Sequence, residues 1–224
     1  MKCGLDISID STGLCIDGKL YNYTTTKENY KWIKATTNYI VFRFIEINEL
    51  DNYSENEMYK LKKYNEITDL IIKDIVDNIK DKNEEIIINI EGYNYALSPG
   101  KIIDIVTFST LLRNKIINIS NKIKINIVSP KSLKKQLCEK VYGFGELKLG
   151  KNGKPLKSQK VSCNLQGIAG GSFKKPEVYR AFIESNIEHK FKNLCIDLKD
   201  ELLSMSKIVK PFDDVIDAMW LYLY

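Results

Sequence analysis

Apolar and polar positions alternate along residues 2–9 (Lys-Cys-Gly-Leu-Asp-Ile-Ser-Ile), which predicts a first β-strand. Asp10-Ser11-Thr12-Gly13 supplies turn chemistry, and Leu14-Cys15-Ile16 opens a second strand. Asp17-Gly18 is a two-residue hairpin signal leading into a third strand over 19–25. The chain therefore opens on an antiparallel three-stranded meander whose first strand carries an acid, Asp6.

Residues 27–53 are less regular, and the β-rich run 39–47 is either an extra strand or a loop inserted after the meander. From 54 to 80 the period becomes helical, with Leu61, Tyr64, Ile67, Ile71, Ile75 and Ile79 on one stripe and Ser54-x-x-Glu57 as a capping box. Residues 86–90 form a short apolar run that ends at Glu91-Gly92, a buried strand. A helix follows Pro99-Gly100, with Ile102, Ile103, Val106, Leu111, Leu112 and Ile116 as its expected inner face. Residues 124–128 read as a strand stopped by Ser129-Pro130, and 131–141 as a short helix. Helices are also predicted from Lys175-Pro176-Glu177 to about 186, and over 213–224 with Val215, Ile216, Met219 and Leu223 inward. The order β-β-β-α-β-α-β predicts an α/β fold: a mixed five-stranded sheet, three antiparallel strands then parallel ones, flanked by helices. One domain spanning 1–224 is expected, with insertions near 27–53 and 146–175.

Composition narrows the classes. A hydrophobic content of 44% supplies a core, and the single His189 argues against a His-rich metal site or a Ser-His-Asp triad. Cys3, Cys15, Cys138, Cys163 and Cys195 are scattered without a C-x-x-C pair, as expected of reduced thiols in an intracellular compartment. No apolar run reaches membrane-spanning length, and the chain opens directly into a strand without a signal-peptide pattern. The net charge of +5 is modest, but its placement is not even. Lys131, Lys134, Lys135, Lys140, Lys148, Lys151, Lys154, Lys157 and Lys160 face only Glu139 and Glu146 over 131–160. Such a run is either a solvated loop or a phosphate-contacting surface.

Candidate chemistry lies in separated acids. Asp6 sits between apolar neighbours mid-strand, where either a cation offsets its charge or alternation turns it to solvent with Leu5 and Ile7 inward. Glu91 ends an apolar strand, and Asp214 and Asp217, three apart, share one helix face. Singly, each acid is explained by a strand end or by a helix dipole. Together they occupy elements that converge at one sheet edge, and four carboxylates suffice to hold two Mg²⁺ ions, or Mn²⁺ in their place, for phosphodiester hydrolysis.

These residues carry a resemblance. Gly4-Leu5-Asp6-Ile7-Ser8 with Ser11-Thr12-Gly13, then Ile90-Glu91, then Asp214-x-x-Asp217-Ala218 resemble the RuvC-like Holliday-junction resolvases of the RNase H-like superfamily. Val128-Ser129-Pro130 with Leu133-Lys134, and Gly143-x-Gly145, resemble further segments of that family. The match runs in motif order from end to end, but only short motifs carry it. It implies a RNase H-like fold, with Asp6, Glu91, Asp214 and Asp217 as ligands of two Mg²⁺ per active site. It also implies Lys134 near the scissile phosphate and a homodimer cutting symmetric strands of a four-way DNA junction. Asp213 replaces Asp214 if the helix register shifts. Lys131, Lys135 and Lys140 are candidate DNA contacts, and Tyr93 and Phe144 either stack on an unpaired base or pack ordinarily. Tyr95 is a candidate of the same kind.

Other classes fit less well. An actin-like or sugar-kinase ATP-binding fold also follows a first strand bearing Asp with Ser, Thr and Gly, but needs more chain and does not account for Asp214-x-x-Asp217. A RNase H-like binding module has no chemical need for all of the acids. Cleavage of RNA, or of flaps and other branched DNA, keeps the enzyme and changes the target. A DEDD exonuclease needs Asp-x-Glu where this chain has Asp6-x-Ser8.

Overall fold

The computed structural model describes residues 1–25, 30–48, 50–81, 83–92, 98–143, 152, 174–205 and 207–224, and omits the side chains of Tyr30, Lys135 and Cys138. Its contacts divide the chain into two compact units, 1–128 with 210–223, and 129–209 with Tyr224. The sequence had suggested one domain.

The first unit holds a six-stranded sheet in the order β4-β3-β2-β1-β5-β6. The strands are β1 (Lys2–Asp6), β2 (Ser11–Ile16), β3 (Lys19–Thr24), β4 (Ile40–Phe44), β5 (Ile86–Glu91) and β6 (Ile123–Val128). β1, β2 and β3 pair antiparallel, and β5 lies parallel to β1 and to β6. This is the RNase H-like arrangement. The sixth strand is the β-rich run inserted after the meander: β4 pairs parallel with β3 at the sheet edge. Its Arg43 makes a two-pronged contact with buried Asp74, at 2.8 and 3.2 Å, and Tyr23 donates to the same carboxylate at 2.8 Å. A charge-assisted fork of this kind fixes where the added strand lies.

Strand boundaries differ from expectation at one informative place. Ser11-Thr12-Gly13 is not a turn but the start of β2, and β1 stops at Asp6. The link between them closes on itself, because the Thr12 hydroxyl donates to the Ser8 carbonyl at 2.6 Å and accepts from the Ser8 amide at 3.3 Å. The Asp17-Gly18 hairpin forms as read, with both residues at positive φ (44° and 85°), the conformation of a tight primed turn.

One face of the sheet packs on α2 (Tyr53–Asp77) and α3 (Pro99–Ile117). Cys3, Leu5 and Ile7 of the first strand and its continuation join Leu14, Ile88 and Ile90 there, with Tyr64, Ile67, Ile71, Ile75, Phe108, Leu112 and Ile116 from the helices. The α2 stripe is the one read from the sequence. Its cap is not: Asn52, rather than Ser54, accepts from the Glu55 amide at 3.1 Å. On α3 the buried set is Phe108, Ser109, Leu112 and Ile116, while Ile103 is 63% exposed. The stripe there is rotated because Phe108, the largest side chain available, takes the centre against Tyr64.

The opposite face is covered by α8 (Phe212–Leu223), which is apolar nearly all round and buries Val215, Ile216, Ala218, Met219, Trp220 and Leu221. The short α1 (Tyr30–Thr36) contributes Trp32, whose ring stands edge-on to Phe212 at 5.8 Å. The second unit contains α4 (Pro130–Tyr142), α5 (Lys175–Glu184), α6 (Lys190–Asp197) and α7 (Lys199–Ser204). Within it, Tyr179 donates to the Cys195 carbonyl at 2.6 Å and Tyr142 to Glu184 at 2.8 Å. Helices α6 and α7 were not read from the sequence, since each is too short for its period to emerge. Among the described residues no helix is long and apolar enough to cross a membrane.

Burial raises the thiols of Cys3 and Cys15, the latter from 9.0 to about 12, and the phenol of Tyr23 upward too, helped by Asp74. Because the folded forms hold their protons more tightly, their contribution is fully present below about pH 9 and is lost as pH rises toward 12. Urea unfolding free energies should therefore be level up to about pH 9 and fall steadily above it; a flat profile through pH 11 would refute this.

Candidate functional site

Strand alternation and register decide where the acids go. Leu5 and Ile7 do face the α2–α3 core, so Asp6 points to the other side, as the solvent-facing reading required. That side is not solvent. With α8 laid across it, Asp6 is only 5% exposed.

Two glycines let α8 come this close. A Cβ on Gly13 would stand 2.2 Å from the Asp214 carbonyl oxygen, and one on Gly4 would stand 2.1 Å from the Ala218 oxygen and Tyr222 nitrogen. Helix backbone thus rests directly on strand backbone. Gly13 is the ladder partner of Asp6, so the Asp214 backbone is seated one strand away from Asp6. At the far end the Asn89 side-chain amide donates to the Leu221 carbonyl at 2.8 Å, and Asn126 donates to Asn89 at 2.9 Å. Gly4, Gly13 and Asn89 fix the helix along its length.

Glu91 follows from the parallel register. Leu5 pairs with Ile90, so Asp6 and Glu91 are the next positions on neighbouring strands, on the α8 face and at the same strand ends. Asp214 and Asp217 are buried on α8, at 4% and 7% exposure, whereas Asp213 is more open. The helix N-terminus, with Asp213 and Asp214 in its first turn, lies at this carboxyl edge of the sheet and favours negative charge there. Register thus brings Asp6 and Glu91 to one strand end, the Asp214 backbone lies over Gly13 beside them, and Asp217 is buried three residues further along α8.

The donor set suits a hard divalent cation in kind, being all oxygen. Among the described residues, no three acid, imidazole or thiol groups stand close enough to enclose a metal ion by themselves. The edge is acid-lined rather than a finished cage.

The remaining candidates lie elsewhere or outside the described residues. Lys131, Lys134 and Lys140 are on α4, in the second unit; Lys131 and Lys140 are exposed and Lys134 half-buried, while Leu133 and Leu137 form the buried side. Lys135 is on the same helix, its side chain outside the described residues, and Tyr93, Tyr95 and Phe144 fall outside them entirely. Cys3, Cys15 and Cys195 are buried free thiols. The sequence marks Gly4 only as a motif position and Gly13 as a turn residue, and assigns no role to Asn89 or Trp32. A polar Asn inside the apolar run 86–90 was the available signal, since a buried amide needs a partner.

No protein-family model matches the chain, and no curated protein matches it. Among solved structures the chain is similar to one described as the Thermus thermophilus RuvC structure. The TM-score is 0.45 at 10% identity, over 99% of this chain and 90% of that one. The fold assignment rests on strand order and register.

Asp6 and Asp214 are carboxylates at 5% and 4% exposure, and burial disfavours the charged form. Asp6→Asn and Asp214→Asn should each stabilise the metal-free protein by about 1 kcal/mol, or about 2–4 °C in melting temperature. Mg²⁺ should raise the melting temperature of the native chain more than that of either variant. Calorimetry showing variants less stable than the native chain in EDTA would contradict the site.

Proposed function

We propose that this protein is a divalent-metal-dependent endonuclease that hydrolyses phosphodiester bonds in branched DNA, with the four-way junction as its substrate. One observation carries the reading: Asp6 and Glu91 end adjacent parallel strands on the face where α8 seats Asp214 and Asp217. A sheet edge that concentrates carboxylates beneath a glycine-docked helix has a chemical use if it binds cations. The choice of junction DNA rests on the motif order shared with the RuvC-like resolvases.

In this reading Asp6, Glu91, Asp214 and Asp217 would hold Mg²⁺, or Mn²⁺ in its place, two ions per site. The bound metal supplies activation of water and stabilisation of the leaving oxygen. The chain's own part is positional: β1 and β5 hold two carboxylates in register, and the α8 backbone holds the others against them. Lys131 and Lys134, three apart on α4, give that helix a basic side for phosphate backbone, with Lys134 near the scissile phosphate by resemblance. Two copies acting together would suit the two-fold symmetry of a junction.

Purified protein with Mg²⁺ should cut a four-way junction in preference to flap, duplex, single-stranded and RNA–DNA hybrid substrates, and should not hydrolyse ATP. Asp6→Asn should lower cleavage by at least about 10³-fold while still binding the junction. Undiminished cutting by the variant, or ATP hydrolysis without nuclease activity, would sink the proposal.

A further inference from the structure

On the α2–α3 side of the sheet, at the edge where β1 ends, lies a cavity of about 410 Å³. Ser8 and Ile9 form part of its wall. Ser8 is two residues beyond Asp6, so their Cα atoms are at most about 7 Å apart. The cavity wall therefore begins two residues beyond Asp6, where the chain leaves β1.

The wall has a distinct chemistry. Ile9, Ile47 and Ile105 supply aliphatic surface, and Asn48 and Asn56 supply amides. Asn56 is oriented by accepting from the Leu50 amide at 3.0 Å. Lys60 also lines the cavity, but Asp104 at 3.1 Å and Glu57 at 2.7 Å already match its charge. Lys101 and Asp10 are exposed at the rim and offset one another. Among the lining residues Lys60 and Lys101 cancel Asp10 and Asp104, and Glu57 adds a negative charge at Lys60. A cavity so lined, with aliphatic walls and amides of which Asn56's is held, is poorly matched to a phosphate. It fits an uncharged planar ring with hydrogen-bonding edges, and its volume is in the range of small-ligand sites.

We propose that this cavity receives one unstacked nucleobase of the bound strand, next to the phosphodiester bond to be cut, with Lys101 at the rim beside that nucleotide's phosphate. The inference rests on the nuclease reading for its substrate, but the cavity's preference for a base can be measured without metal or cleavage.

The test is an amide chemical-shift titration of the full chain with dAMP, dGMP, dCMP and dTMP, and with deoxyribose 5-phosphate, which lacks the base. At least one nucleotide should shift the amides of Asn48, Asn56 and Lys101, while deoxyribose 5-phosphate leaves them in place. Asn48→Trp, which fills the mouth, should weaken that nucleotide by at least about tenfold. If that variant does not fold, Asn48→Ala should weaken it by about threefold. Equal shifts with deoxyribose 5-phosphate, or none with any nucleotide, would overturn the cavity's role even if junctions are cut. Nucleotide binding without any cleavage would instead overturn the nuclease reading alone.

Discussion

Helix α8 meets the sheet backbone to backbone at Gly4 and Gly13, and the rest of the site depends on that contact. Any side chain at either glycine would overlap helix main chain by more than an ångström. The close approach turns the α8 face of β1 from a solvated surface into an interior. It also sets the height of Asp214 and Asp217 above Asp6, because a helix resting directly on a strand has little freedom to rise. What the strands fix by register, the glycines fix in the perpendicular direction.

The two faces of the sheet divide the labour. The α2–α3 face is a conventional apolar core, built from Cys3 and Leu5 of β1, the isoleucines of β5 and the stripe of α2. The other face is polar and closely covered: Asn89 and Asn126 link the sheet to the α8 C-terminal end, and acids gather at its N-terminal end. A buried amide ladder is tolerated there because each member finds a partner. The insertion after the meander serves the same end from outside, with Trp32 of α1 against Phe212 and Arg43 of β4 on Asp74.

How much of this was legible depended on range. Local signals read well: the Asp17-Gly18 hairpin, the α2 stripe, and Pro99 and Pro130 at helix starts all rest on backbone chemistry within a few residues. The α3 face was legible in part: Leu112 and Ile116 are buried as expected, but apolar residues surround that helix, and Phe108 against Tyr64 takes the inner position while Ile103 is exposed. Gly13 was taken for a turn residue, since sequence shows that a glycine is needed without showing whether φ or close approach requires it. The acids themselves were visible, as was the alternation that turns Asp6 away from Leu5. The cover that makes Asp6 buried was not, because it comes from a helix more than two hundred residues away.

That distance explains why the site is built as it is. Like charges brought together from β1, β5 and α8 repel, so the elements bearing them must be held by contacts that do not involve the acids. The Gly4 seat and the Asn89 bond lie toward the C-terminal end of α8, and the Gly13 seat is made by the Asp214 backbone rather than by its carboxylate. Backbone seats of this kind hold α8 on the sheet whatever the charge state of its carboxylates.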